Sequence, residues 1–168
     1  MKAVDEQNVL EDSLSELAHL SAWECARMQD MFWEIVDKRV LLVHSPRPPS
    51  MDEWKKWLIF LEDAVRSGEA EGLFVLTEVG PDALQRKMVS EMWTRVTMPP
   101  IAIVTASPAT RAIVTALNFF FARPQKTFDP RDRLAAFAFV GIKDVELANA
   151  VLEKLIRMAR GSGLMAQP

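Results

Sequence analysis

Cysteine is nearly absent: Cys25 stands alone among 168 residues, so an intrachain disulfide or a thiolate metal cluster is excluded. In its amphipathic setting Cys25 reads as a packing residue. Histidine is as scarce, with only His19 and His44, and neither has a second donor at metal-ligand spacing. The six glycines are scattered, and neither Gly-x-Gly-x-x-Gly nor Gly-Lys-Ser/Thr occurs, so no phosphate cradle and no nucleotide cofactor is expected. Surplus positive charge is missing too. Twenty Lys+Arg against 23 Asp+Glu leave a net charge of −3, which argues against a nucleic-acid partner. No apolar run reaches the roughly eighteen residues of a membrane span. The acidic stretch 1–25 matches neither a signal nor a transit peptide, and a cytoplasmic location is expected.

What is present is a globular composition, 49% hydrophobic and 26% charged, without repeats or linkers, and it reads as one domain over residues 8–160. Leu10, Leu14, Leu17 and Leu20 recur at helical spacing and predict an amphipathic N-terminal helix over 8–28. Two β-rich runs follow, 31–36 and 40–45, separated by Asp37-Lys38-Arg39 in a hairpin connection. The second run is almost wholly apolar, as expected of a strand covered on both faces. Ser50 and Glu53 form a capping-box pattern ahead of a helix over 51–67, and Gly68 ends it. A buried-type strand at 72–77, a helix over 82–94, a strand at 101–105 and a helix over 107–120 opened by Ser107-Pro108 come next. Strands alternating with helices of this length predict an α/β fold, a mostly parallel sheet of about five strands with helices on both faces.

The segment Leu134–Val140 is ambiguous by periodicity alone. Asp129-Pro130 offers a cap and first-turn proline and Gly141 a stop, which favours a helix over 130–140 and leaves Lys126-Thr127-Phe128 as an edge strand. A C-terminal helix is expected over 144–160, with a loose tail from Gly161.

This order of elements, with Arg39-Val-Leu-Leu-Val-His44 ahead of Ser50-Met-Asp-Glu-Trp54, Thr110-Arg-Ala-Ile-Val-Thr-Ala-Leu117, and Thr127-Phe-Asp-Pro130 before Ala135-Ala136, resembles the STAS fold. That is the domain of sulfate-transporter tails and bacterial anti-sigma factor antagonists. The resemblance covers about 110 residues at the level of pattern, from Phe32 to Val140. It implies a protein-interaction module acting as a regulator or assembly subunit, its partner another protein or a second copy. In antagonist members a phosphorylatable serine lies in an Asp-Ser-Ser-Gly type turn after the third strand. Here the turn reads Glu78-Val-Gly-Pro-Asp82, without Ser or Thr, so that switch has no matching residue. Asp82 reads as a helix cap, or as a fixed negative charge in the place of the phosphate.

Candidate chemistry gathers at the expected strand ends. His44 stands where open α/β sheets usually place ligand sites, with Thr77, Glu78, Thr105 and Ser107 in reach of the same edge. His44 and Glu78 beside Ser107 form the alternative, a small enzyme with a strand-end cleft. Ser107 lacks the flanking glycines of a nucleophile elbow, and strand-end polar residues ordinarily cap helices. Trp54, Trp57, Met88, Met92 and Trp93 fall at helical spacing and read as core. Phe119, Phe120 and Phe121 cannot all share one face, so an exposed aromatic beside Arg123 is a candidate partner anchor, with burial under a terminal helix as the other reading.

Overall fold

The computed structural model describes residues 29–118 and 125–164. Strands β1 (Met31–Val36) and β2 (Arg39–His44) form a hairpin with Met31 opposite His44 and Val36 opposite Arg39. Their two-residue turn puts both Asp37 (φ 47°) and Lys38 (φ 59°) in the left-handed region, the geometry whose twist suits a tight hairpin. From there the chain alternates: α1 (Met51–Ser67), β3 (Gly72–Leu76), α2 (Ala83–Trp93), β4 (Ile101–Val104), α3 (Pro108–Leu117) and β5 (Lys126–Phe128). A 3₁₀ turn at Pro130–Asp132 leads into α4 (Arg133–Val140), and α5 (Val145–Leu164) follows.

The sheet order is β1-β2-β3-β4-β5, with β1 antiparallel to β2 and all later neighbours parallel. Because every parallel step advances in one direction, right-handed crossovers put α1, α2 and α3 on a single face. The pleat divides the apolar residues accordingly. Val40, Leu42, Leu73, Val75, Ile101 and Ile103 pack with Trp54, Trp57, Leu58 and Leu61 of α1, Met92 of α2 and Val114 of α3. Leu41, Val43, Phe74, Ala102 and Val104 point the other way, onto Phe137 and Val140 of α4 and Ala148, Val151, Leu152 and Leu155 of α5. The expected α/β architecture with helices on both faces is therefore present, as a mixed, mostly parallel sheet of five strands.

Local signals explain the boundaries. Ser50 and Glu53 close the capping box of α1, and Gly68 (φ 77°) ends that helix in a left-handed cap. Asp129 caps the 3₁₀ turn that starts the α4 segment, and Gly141 adopts φ 79° at its end. Gly72 serves a different need: a Cβ there would lie 2.7 Å from the carbonyl oxygen of Val140, so only glycine lets the end of α4 approach β3 this closely.

Two expectations need correcting. The C-terminal helix starts at Val145 because Asp144 is its cap, its carboxylate accepting from the Leu147 N–H at 2.9 Å. It also continues to Leu164 through the expected loose tail, since nothing crowds Gly161 and no proline interrupts the run. The helix expected over 8–28 lies outside the described residues.

Candidate functional site

The parallel register brings the C-terminal ends of β2, β3 and β4 to one edge, and His44, Thr77, Glu78, Thr105 and Ser107 follow it there. A cleft of about 420 Å³ opens beside it toward α4 and α5, with His44 and Glu78 among its lining residues and Ser107 outside them. His44 turns its ring toward Trp54, the two ring centres 6.4 Å apart at 79°. Both imidazole nitrogens are buried, and neither has a hydrogen-bond partner among the described residues. Burial pushes the His44 pKa down from 6.5 to about 4, against the pull of the Asp30 charge, so the ring is neutral near pH 7.

Glu78 is engaged elsewhere. Its carboxylate accepts from the Ala106 N–H at 3.1 Å and the Thr105 hydroxyl at 3.4 Å, while its carbonyl accepts from the Thr110 hydroxyl at 3.3 Å. The loop after β3 is thereby fastened to the loop after β4. Ser107 caps α3, its Oγ accepting from the Thr110 N–H at 3.2 Å. Thr77 closes its own turn, accepting from the Val79 N–H and donating to the Val79 carbonyl. The edge thus carries His44, Glu78 and Ser107 with no hydrogen bond between them: a general base needs a positioned partner, and here Glu78 and Ser107 are held by other neighbours while neither His44 nitrogen has one among the described residues.

Asp82 caps α2 in a capping box with Gln85, accepting from its N–H at 2.8 Å and returning a backbone N–H to its side-chain oxygen at 2.9 Å. Arg111 reaches from α3 to the Thr105 carbonyl at 2.9 Å and to Asp129 at 3.3 Å. The Asp129 carboxyl is held below its usual range, first by the Arg131 backbone N–H and then by the Arg111 guanidinium.

A second cluster escaped sequence reasoning. Buried Asp30 accepts from the Ser45 hydroxyl at 2.5 Å and the Arg47 guanidinium at 2.9 Å, and its own N–H donates to Glu53 at 2.6 Å. It latches the β2–α1 turn to the start of β1. The one signal that could have found it is the hairpin register, which sets residue 30 opposite residue 45. Among the described residues no three of His, Cys, Asp and Glu group as a metal site, and no helix is long and apolar enough to cross a membrane.

No family model, curated protein or solved structure matches this chain. Its own geometry therefore carries the assignment. Phe119, Phe120, Phe121 and Arg123 lie outside the described residues. The residues flanking them are clasped, the Asn118 side chain donating to the Gln125 carbonyl at 2.9 Å and accepting from its N–H at 2.8 Å. Among the described residues, α4 leaves apolar side chains exposed. Leu134, Ala135, Ala138 and Phe139 all face outward there, with Leu134 62% and Phe139 37% exposed. Beside them runs edge strand β5, whose Lys126 ammonium sits 5.1 Å and 5.7 Å from the Phe128 and Phe139 ring centres.

Proposed function

We propose that this chain is a STAS-like protein-interaction module, acting as a regulator or assembly subunit without the serine switch. The order of elements that suggested the likeness recurs in the strand sequence and in the hairpin that opens the sheet. The observation that carries the reading is the outer face of α4. A helix of eight residues that carries no polar side chain beyond Arg133 leaves four apolar ones exposed among the described residues, next to a sheet edge that pairs with no further strand among them. Exposed apolar patches of this kind mark association surfaces, and an edge strand beside one offers backbone groups to the same partner. The enzyme alternative has less support, because Glu78 and Ser107 are occupied as loop fastener and helix cap, and no contact links them to His44.

Leu134→Glu tests the reading, since the side chain is mostly exposed and its loss leaves the core intact. Burying a leucine of this kind at an interface contributes on the order of 2 kcal/mol, about thirtyfold in affinity. The expected result is an unchanged melting temperature together with loss of self-association in light scattering or of co-purifying protein. A variant that associates as the parent does would remove α4 as the interaction face.

A further inference from the structure

The outer edge of β5 is unevenly finished. Along a strand the backbone N–H and C=O groups of successive residues turn to opposite edges. The Phe128 carbonyl accepts from the Thr105 N–H at 3.1 Å, so Lys126 and Phe128 turn their groups toward β4 and Thr127 turns its pair outward. The outward positions on either side are already answered. At Gln125 the Asn118 side chain takes both groups, and at Asp129 the carbonyl accepts from the Asp132 N–H at 2.9 Å. Between them, the outward N–H and C=O of Thr127 meet no partner among the described residues.

A single open donor and acceptor on one residue suit a second copy of the same residue. In an antiparallel pair centred there, each Thr127 N–H donates to the other copy's Thr127 carbonyl, and both bonds are exchanged. The twofold axis through that pair sets Lys126 opposite the second copy's Phe128, and does so twice. Within one chain the Lys126 ammonium already lies 5.1 Å from the Phe128 ring centre and 5.7 Å from that of Phe139, drawn in over the aromatic face instead of standing across the edge. In the pair each cation gains a further ring. Phe139 is 5.7 Å from Phe128 and 37% exposed, so the apolar face of α4 borders the same seam. We propose that the chain forms a twofold homodimer in which β5 pairs antiparallel with the second copy's β5 about Thr127, joining two five-stranded sheets into one of ten. This rests on the reading of α4 and β5 as the interaction face, and it names the partner that covers them. Like edge on like edge closes, whereas β5 set on β1 of the next copy leaves edges free and builds a filament. Edge strand β1 is guarded besides, its Glu34 held in an ion pair with Lys154.

Thr127→Pro tests the seam without opening the sheet. The N–H it removes makes no bond to β4, while both bonds between copies are lost and the ring blocks the edge. Sedimentation equilibrium of the full chain should give a dimer for the parent. For Thr127→Pro the dissociation constant should rise at least about thirtyfold, two backbone bonds being lost, with the melting temperature kept. If that variant does not fold, Lys126→Glu at its exposed position decides instead, with association weakened about tenfold. A parent that stays monomeric at every concentration reached overturns the dimer, and the α4 face is then judged by the protein that co-purifies with the parent and not with Leu134→Glu. A folded Thr127→Pro that dimerises as the parent does overturns the strand pairing, even where Leu134→Glu is monomeric. Dimers lost in Thr127→Pro and kept in Leu134→Glu would uphold the strand seam and remove α4 from it, so the two readings fail separately.

Discussion

An imidazole buried without a hydrogen-bond partner among the described residues couples the stability of the fold to proton concentration. The unfolded chain takes up a proton at His44 as the pH falls below 6.5, whereas the folded chain resists until about pH 4. The unfolded state therefore binds more protons in that window, and stability drops as the pH drops through it. Between about pH 7 and about pH 5 the loss from this one group is about 2 kcal/mol. Urea unfolding of the parent and of His44→Leu at both pH values checks this. The variant should lack that part of the decline, and an identical decline in both would show that the ring is solvated or paired. The location of His44 at a strand end was legible in the sequence, because an apolar run that stops at Pro46 fixes where the strand must finish. Its unpaired, neutral condition was not, since that depends on Trp54 and on an Asp30 carboxylate already engaged by Ser45 and Arg47.

Elements whose ends are written within three or four residues were the readable ones. Ser50 with Glu53, Ser107 with Pro108 and Asp129 with Pro130 each announce a helix start through contacts that close inside one turn, and the helices begin at those caps. The Asp37-Lys38 turn was readable only as a short gap, because its left-handed geometry is adopted by residues other than glycine. The end of α5 was misread for the opposite reason, glycines that suggest a stop being carried inside the helix. Gly72 shows what local reading cannot supply: its requirement comes from Val140, distant in sequence. Gly72→Ala would set a methyl against that carbonyl and also against the Arg39 side chain, whose Nε already donates to Val140 at 2.7 Å. The cost expected is about 1–3 kcal/mol by denaturant unfolding, with α4 displaced from the sheet. An alanine variant as stable as the parent would mean that α4 yields freely.

At the scale of the molecule, a pleated sheet separates two apolar cores that share no side chain. The alternation along β2, β3 and β4 was visible only as unbroken apolar runs, which say that both faces are covered and leave open which residue serves which face. Leu58 belongs to one core and Leu152 to the other. Each Leu→Ala change should cost about 2–5 kcal/mol, and the double variant should equal their sum to within about 0.5 kcal/mol in urea unfolding. A discrepancy above about 1 kcal/mol would show that strain crosses the strands. The one-residue step between Leu41 and Leu42 makes the sheet a bulkhead between two compartments. Substitutions that repack the layer behind α1–α3 need no compensating change behind α4 and α5, so a lineage carrying this fold can vary one core while the other stays fixed.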